Sequence, residues 1–125
     1  LEIMEMRGDL KGERNLAIAD NLMQYGFVTG PEVSPVPAGL DLAAVVAQIS
    51  TNGQPVARVA GGGEFMDDQY ATLAWLANKL AGFGKALKPG MRIMSGSYIN
   101  PTAVAKGDTW QATFAGIGTV SATYA

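Results

Sequence analysis

The feature that most constrains this fold is an Asn-Gly pair, Asn52-Gly53, set between two short apolar stretches at residues 45–50 and 55–60. Asn-Gly readily adopts the two positive φ angles of a type I′ turn. The backbone twist of that turn matches the twist of antiparallel strands. The sequence therefore predicts a β-hairpin whose turn lies at residues 51–54.

A second hairpin is predicted near the end of the sequence. Apolar and polar side chains alternate over residues 109–114 and again over 119–124, with Gly116-Ile117-Gly118 between them. Because successive side chains of a strand point to opposite faces, this alternation predicts one packed face and one wetter face.

One main helix is predicted at residues 67–81. The residues that recur there with helical spacing are apolar or aromatic: Tyr70, Leu73, Leu76, Ala77 and Leu80. Asp67 is predicted as the N-cap, because its carboxylate can accept hydrogen bonds from unpaired N–H groups. Gly82 or Gly84 is expected to end the helix in a left-handed conformation.

The remaining segments predict short elements joined by loops. We expect strands at residues 1–6 and 91–94, surface loops at 11–15 and at the proline-rich 31–37, and a helical turn at 20–24 followed by a strand that ends at Gly30. No second domain boundary is evident, so residues 1–125 are predicted to form a single domain. Strands outnumber helices, which predicts a mostly β, α+β fold.

Composition excludes several functional classes. The 125 residues contain no cysteine and no histidine, which removes thiolate nucleophiles, cysteine zinc sites and the commonest general base. A net charge of −2 gives no electrostatic reason to expect nucleic acid. No apolar run approaches the roughly 20 residues that span a bilayer. We expect a cytoplasmic protein that binds neither nucleic acid nor membrane, and any metal would be held by oxygen.

Two local clusters favour structural roles. Gly61-Gly62-Gly63 lacks the spacing of a phosphate-binding loop, so a bulge or strand end is the preferred interpretation. Glu64, Asp67 and Asp68 could bind a cation, but capping and compensation of the helix dipole account for the two aspartates without a ligand.

The opening strand carries two acidic residues, Glu2 and Glu5, which a period of two places on opposite faces. The opening Leu1-Glu2-Ile3-Met4-Glu5-Met6-Arg7 and the later stretches at 75–81 and 106–108 together resemble the C-terminal half of 2-oxopent-4-enoate hydratases and 4-oxalocrotonate decarboxylases. These enzymes belong to the fumarylacetoacetate hydrolase superfamily. The resemblance implies that Glu2 is one of three carboxylate ligands of Mg²⁺ or Mn²⁺.

A second site residue follows from the same resemblance. Met94-Ser95-Gly96-Ser97, with Pro101 and Val104 after it, is similar to the family segment in which a threonine hydroxyl meets the substrate carboxylate. Ser95 keeps a hydroxyl at that position, which implies substrate binding. Its structural alternative is a turn serine that hydrogen-bonds to nearby backbone. Lys106-Gly107-Asp108 is interpreted as a turn without a catalytic role.

The resemblance implies a fold and an activity. The fold is a mixed β-roll or sandwich of the fumarylacetoacetate hydrolase C-terminal type, with one main helix. The activity is that of a metal-dependent lyase on small 2-oxo acids from aromatic catabolism, hydrating 2-hydroxypenta-2,4-dienoate to 4-hydroxy-2-oxopentanoate. Decarboxylation of 4-oxalocrotonate is the nearest alternative. Enzymes of this family are oligomers, so a homo-oligomer is expected.

Two departures from the family pattern favour a third hypothesis, a non-catalytic assembly or binding domain. The family has small and hydroxyl side chains where this sequence has Leu22, Met23 and Gln24, and it has Gly-His-Pro before the long helix where this sequence has Asp67-Asp68-Gln69.

The paired glutamates that complete the family's metal site are absent from this sequence. We therefore expect a segment of a longer enzyme, with no identified catalytic residue and no activity alone.

Overall fold

The structure is a computed structural model that describes residues 1–9, 12–61 and 68–125. These described residues form six strands and two α-helices: β1 (Glu2–Met4), α1 (Arg14–Ala19), β2 (Gln24–Phe27), β3 (Val46–Thr51), β4 (Gln54–Ala60), α2 (Gln69–Ala81), β5 (Thr109–Phe114) and β6 (Gly118–Thr123). The predicted mostly β, α+β fold with one main helix is confirmed. Its strands form two antiparallel sheets, one of β1 and β2 and one in the order β4-β3-β5-β6.

Both predicted hairpins are present in the four-stranded sheet. Asn52 and Gly53 join β3 to β4 with φ angles of +50° and +77°, the pair of positive values that a type I′ turn requires. The second hairpin joins β5 to β6, with Thr113 opposite Thr119. The two hairpins are then joined by antiparallel pairing of β3 with β5.

The four-stranded sheet has one packed and one polar face, as its alternation predicts. Its buried side chains share one face: Ala47, Ile49, Trp110, Ala112 and Val120. On the other face, hydroxyl pairs link β5 to β6, with Oγ1–Oγ1 distances of 2.8 Å for Thr109–Thr123 and 2.9 Å for Thr113–Thr119. The hydrophobic core therefore lies on one side of this sheet.

The β1–β2 sheet is attached to that core through its first residue pair. Leu1 and Val28 exchange two backbone hydrogen bonds of 2.8 Å, and both side chains pack against the buried cluster of the larger sheet. Just beyond, Gly30 runs so close to β6 that an added Cβ would lie 3.0 Å from the Thr119 carbonyl oxygen. Glycine at this position permits the close approach.

Helix α2 confirms the main helix, with corrections at its ends. The predicted cap, Asp67, lies outside the described residues; Asp68 caps the helix by accepting a 2.9 Å hydrogen bond from the Ala71 N–H. Gly84, with φ +66°, is the left-handed residue, and the Lys85 N–H donates to the Leu80 carbonyl as in a Schellman motif. No described helix is long and apolar enough to cross a membrane.

The apolar stripe of α2 is only half-buried. Leu73, Leu76 and Leu80 are partly buried, but Tyr70, which the helical spacing assigned to the same stripe, is 57% exposed. Trp75 on the other side of the helix is 64% exposed. The helix thus carries apolar side chains on two sides, and this chain fully covers neither.

Several short predicted elements were wrong. Residues 91–94 pair with no described strand, because β3 and β5 are already paired on both sides and the segment does not run along an outer edge. Helix α1 begins at Arg14, inside the predicted loop, since Arg, Leu and Ala favour helix. The predicted helical turn at 20–24 is a turn of opposite hand at Asn21–Met23.

The glycine run ends β4, as predicted for Gly61. Its φ is +68°, its N–H donates to the Val45 carbonyl at 3.2 Å, and an added Cβ would lie 2.8 Å from the Ala43 carbonyl oxygen. Gly62, Gly63 and Glu64 lie outside the described residues.

Candidate functional site

Glu2 lies in β1 on the face that points away from the core. Its cross-strand partner is Phe27, and the two side chains share a face because paired residues of antiparallel strands project to the same side. Leu1 and Val28 form the hydrogen-bonded pair, so Glu2 and Phe27 form the next, non-hydrogen-bonded pair, in which side chains approach most closely. We call this surface, formed by Glu2, Met4 and Phe27, the Glu2 face.

The carboxylate of Glu2 is exposed and makes no hydrogen bond or ion pair with the described part of the chain. Glu5, by contrast, lies 3.4 Å from the Arg7 guanidinium. Of the two acidic residues in the opening segment, Glu2 is therefore the one whose oxygens are available to a ligand.

Arg7 joins the end of β1 to the turn that precedes β2. Its Nε donates to Asp20 Oδ1 at 2.7 Å, and its Nη2 donates to the carbonyl oxygens of Asp20 and Gln24 at 2.9 and 3.3 Å. The hydrogen bond to the Asp20 carboxylate raises the pKa of Arg7. One guanidinium thus bridges both ends of the turn.

The turn itself has an uncommon backbone. Asn21, Leu22 and Met23 have consecutive φ angles of +56°, +53° and +65°. A left-handed conformation is unfavourable for side chains other than glycine and asparagine, so Leu22 and Met23 are strained. The Met23 carbonyl accepts a 2.9 Å hydrogen bond from the Glu5 N–H, which ties this strained turn to the strand that carries Glu2.

Ser95 lies in the irregular segment between α2 and β5 and is half-buried. No described residue hydrogen-bonds to its hydroxyl. The neighbouring Ser97 makes the local turn bond instead, donating to the Ile99 carbonyl at 2.7 Å. The sequence analysis gave a turn serine bonded to nearby backbone as the structural alternative for Ser95. In the structure that role belongs to Ser97.

Arg92 brings the Ser95 segment to the Glu2 face. Its guanidinium carbon lies 5.7 Å from the centroid of the Phe27 ring, within the range of a cation–π interaction. No hydrogen bond or ion pair joins Glu2 to Ser95 directly in the part of the chain that the structure describes. The segment that carries Ser95 thus contacts the Glu2 face through Arg92 and Phe27, which the sequence did not single out.

A complete magnesium site does not form from the described residues. They contain no group of three acidic side chains that could hold a metal ion. Magnesium sites in proteins combine carboxylate oxygens with waters or substrate oxygens in octahedral geometry, and Glu2 alone supplies one such ligand. The donor set of this chain therefore does not fit the ion by itself.

Two surface hollows of the described residues lie away from the Glu2 face. One, of about 270 Å³, is lined by apolar and aromatic side chains that include Pro31, Val36 and Tyr70. Another, of about 160 Å³, contains Asp41 and Asp68, whose carboxylates each cap the start of a helical turn. Neither of these two hollows includes Glu2 or Ser95.

Comparison with known proteins relates the chain to dienoate hydratases. No family model matches it. It is 39% identical over 122 residues to a 2-hydroxyhexa-2,4-dienoate hydratase from Comamonas testosteroni, over 96% of this chain and 45% of that protein. It is 34% identical over 104 residues to a 2-keto-4-pentenoate hydratase from Paraburkholderia xenovorans, over 82% of this chain and 38% of that protein.

A 4-oxalocrotonate decarboxylase from Pseudomonas sp. strain CF600 is 32% identical over 107 residues, which cover 86% of this chain and 40% of that enzyme. The chain belongs to this family of hydratases and decarboxylases. It spans less than half the length of the curated relatives it matches. The resemblance inferred from residues 1–7, 75–81 and 106–108 is thereby confirmed.

The sequence analysis did not recognise the roles of two arginines, Arg7 and Arg92. Arg7 belongs to the opening motif, so its presence could have suggested a partner, but only the fold places Asp20 beside it. Arg92 has no sequence signal, because a single cation in a short segment is usually a solvated surface residue. Its position over Phe27 is a product of tertiary structure.

Proposed function

We propose that this chain is part of a cytoplasmic lyase that hydrates 2-hydroxypenta-2,4-dienoate to 4-hydroxy-2-oxopentanoate. The observation that carries this proposal is the 39% identity to a dienoate hydratase over 96% of the chain. The exposed carboxylate of Glu2 and the unpartnered hydroxyl of Ser95 support it, because both are available to bind.

The reaction requires the substrate to be held by its 2-oxo acid end. The dienol ketonises by losing the proton of its 2-hydroxyl and gaining a proton at C5, and water then adds across C3 and C4, its hydroxyl going to C4 and its proton to C3. In the proposed site, the Ser95 hydroxyl donates to the substrate carboxylate and orients it. No residue of this chain is assigned to the proton transfers.

Glu2 is proposed as one oxygen ligand of Mg²⁺ or Mn²⁺, a role that rests on the family resemblance. The other ligands would come from polypeptide that this sequence does not contain. In the complete protein, Glu2→Ala should weaken metal binding and lower kcat/KM by about a hundredfold or more, since the ion's charge stabilisation is lost. Ser95→Ala should mainly raise KM.

Glu5→Ala is the matched control for Glu2→Ala. Glu5 lies in the same opening segment and pairs with Arg7, so its loss removes a carboxylate without touching the proposed ligand. Metal affinity by calorimetry and turnover by the change in dienol absorbance should be affected by Glu2→Ala alone. An unaffected Glu2→Ala enzyme would refute this placement of the metal.

Two other functions remain as specific alternatives. Decarboxylation of 4-oxalocrotonate is supported by 32% identity to a decarboxylase, below the 39% and 34% for the two hydratases. A non-catalytic domain is supported by the exposed Leu22, which stands where the family has a small side chain. Assaying the complete protein on both substrates with magnesium separates the three: one preferred substrate identifies the enzyme, and turnover of neither favours the non-catalytic domain.

The intact protein is also proposed to self-associate. A compact monomer of 13.0 kDa exposes about 6,300 Å². This chain exposes 9045 Å², including much of Trp75 and Phe83, which are 64% and 70% exposed, so a large surface is left for the rest of the polypeptide and a second copy to cover. Light scattering of the complete protein should show an oligomer at micromolar concentration.

The 125-residue chain alone, with one carboxylate ligand, should show no turnover and only weak magnesium binding.

A further inference from the structure

Arg92 occupies an unusual position beside the proposed metal ligand. It lies over Phe27, and Phe27 is the closest cross-strand neighbour of Glu2. The Glu2 face therefore has a negative group, an aromatic ring and a positive group side by side. Arg92 and Phe27 are both exposed, so a ligand can reach this arrangement from solvent.

The contact with Phe27 leaves the hydrogen-bonding capacity of Arg92 unused. A cation–π attraction acts through charge and does not consume N–H donors. Arg92 makes no ion pair with any described carboxylate, unlike Arg7, which is bonded to Asp20. Five N–H donors in a planar fork are thus held over the ring, and the fork matches the two oxygens of a carboxylate.

Arg92 is also close in sequence to Ser95. The segment between them is not a regular strand and spans at most about 10 Å between the two Cα atoms, a separation that the long arginine side chain can bridge to reach a small acid at this face. The unpartnered Ser95 hydroxyl and the unpaired guanidinium are complementary to a carboxylate, and neither has a competing partner in the described part of the chain.

We propose that Arg92 is a substrate-binding residue that holds the carboxylate of the 2-oxo acid at the Glu2 face, together with Ser95. This inference rests on the proposed function and adds the group that supplies the charge. The cation neutralises the carboxylate, and the Phe27 ring keeps the guanidinium from swinging into solvent. A ligand that lacks a carboxylate gains nothing from Arg92.

The test uses two non-reacting probes, 2-oxopentanoate and the neutral 2-pentanone, with the complete protein in one magnesium buffer. Calorimetry should show that Arg92→Met raises the Kd of 2-oxopentanoate by about tenfold, the loss expected for a charge-assisted hydrogen bond. Affinity for 2-pentanone should stay within about twofold. Arg92→Lys should recover part of the loss, because it keeps the charge without the fork.

Arg58→Met is the matched control. Arg58 is exposed on β4 and neighbours Ala57, which packs toward the core, so its side chain points to the opposite face of the larger sheet. It should leave both affinities unchanged. Equal weakening of both probes by Arg92→Met would show a structural role and overturn the proposal, as would an unchanged Kd for 2-oxopentanoate.

Turnover separates this inference from the proposed function. If the complete protein hydrates the dienoate, Arg92→Met should raise KM by about tenfold with little change in kcat, as for a residue that binds the carboxylate in ground and transition states alike. If it turns over no dienoate yet shows the Arg92-dependent Kd difference, the hydratase proposal fails and carboxylate binding stands. Normal turnover with an unchanged KM would overturn the Arg92 proposal alone.

Discussion

The two sheets of this protein differ in burial, in the regularity of their strand pairing and in backbone strain. The four-stranded sheet has a buried face, regular antiparallel pairing over most of its length and a polar face closed by threonine pairs. The β1–β2 sheet has a register shift after Ile3, an exposed Glu2 face and a strained left-handed turn beside it. The proposed binding residues lie where packing is poor, so we propose that the larger sheet supplies stability and the smaller one carries the site.

The two sheets also differ in the hydrogen bonds that reinforce them. Asn52 in the hairpin turn donates to Asp108 Oδ1 at 2.9 Å and accepts from the Thr109 N–H at 2.9 Å, so side chains from distant segments reinforce the backbone ladder. The turn of the small sheet is held by one exposed arginine, Arg7, and by the backbone hydrogen bond from Glu5 to Met23. Substitutions that remove packing should therefore lower the free energy of unfolding more in the larger sheet. Substitutions that relieve strain should raise it more in the smaller sheet.

The largest expected difference is between two isoleucines. Ile49 in β3 is 6% exposed and belongs to the core, whereas Ile3 in β1 is only half-buried. Ile49→Ala should lower the free energy of unfolding by about 3 kcal/mol, through lost burial and the cavity left behind, and Ile3→Ala by about 1 kcal/mol. Urea denaturation of both variants checks this, and equal losses would remove the distinction between the sheets.

An intermediate effect is expected at the hairpin turn. Asn52→Ala places alanine at a φ of +50° and removes the bridge to Asp108. Unfolding free energy should fall by about 1–2 kcal/mol. Asn52→Gly, which accepts the positive φ but lacks the bridge, should cost less and thus separates strain from hydrogen bonding.

The same bridge predicts a dependence on pH. The Ala105 N–H, and to a lesser extent the Asn52 side chain, lower the pKa of Asp108 from its ordinary value of 3.8. A lowered folded-state pKa stabilises the fold above the unfolded value, and that contribution is lost as pH falls through the folded value. The deficit of Asn52→Ala should therefore be full at neutral pH and shrink below about pH 4 in thermal unfolding.

The smallest effect expected is a gain in stability. Leu22 is 60% exposed at a φ of +53°, so Leu22→Gly should relieve strain and raise the unfolding free energy by about 1 kcal/mol. Leu16→Gly is the control, because Leu16 is comparably exposed but helical, and glycine there should cost about 1 kcal/mol. If Leu22→Gly destabilises instead, the side chain at this turn contributes packing that outweighs the strain.

Sequence patterns predicted the elements whose signals are local. The Asn52-Gly53 turn, the alternation of β5 and β6 and the helical spacing of α2 each depend on residues close together in the chain, and each is present in the structure. The prediction at 91–94 was wrong because a strand exists only where another strand offers its edge, and a short apolar run does not encode that partner.

The candidate site likewise combines residues that the sequence singled out with contacts that only the structure shows. The sequence by itself singled out Glu2 and Ser95 as candidate site residues, through motif resemblance, and determined the hairpins, the main helix and the family. Only the tertiary structure decided that Ser97 makes the local bond, that Arg7 holds a left-handed turn, and that Arg92 lies over Phe27. Those contacts join segments far apart in the chain, and the chain path that brings them together is set by packing on the larger sheet, which local residue preferences do not encode.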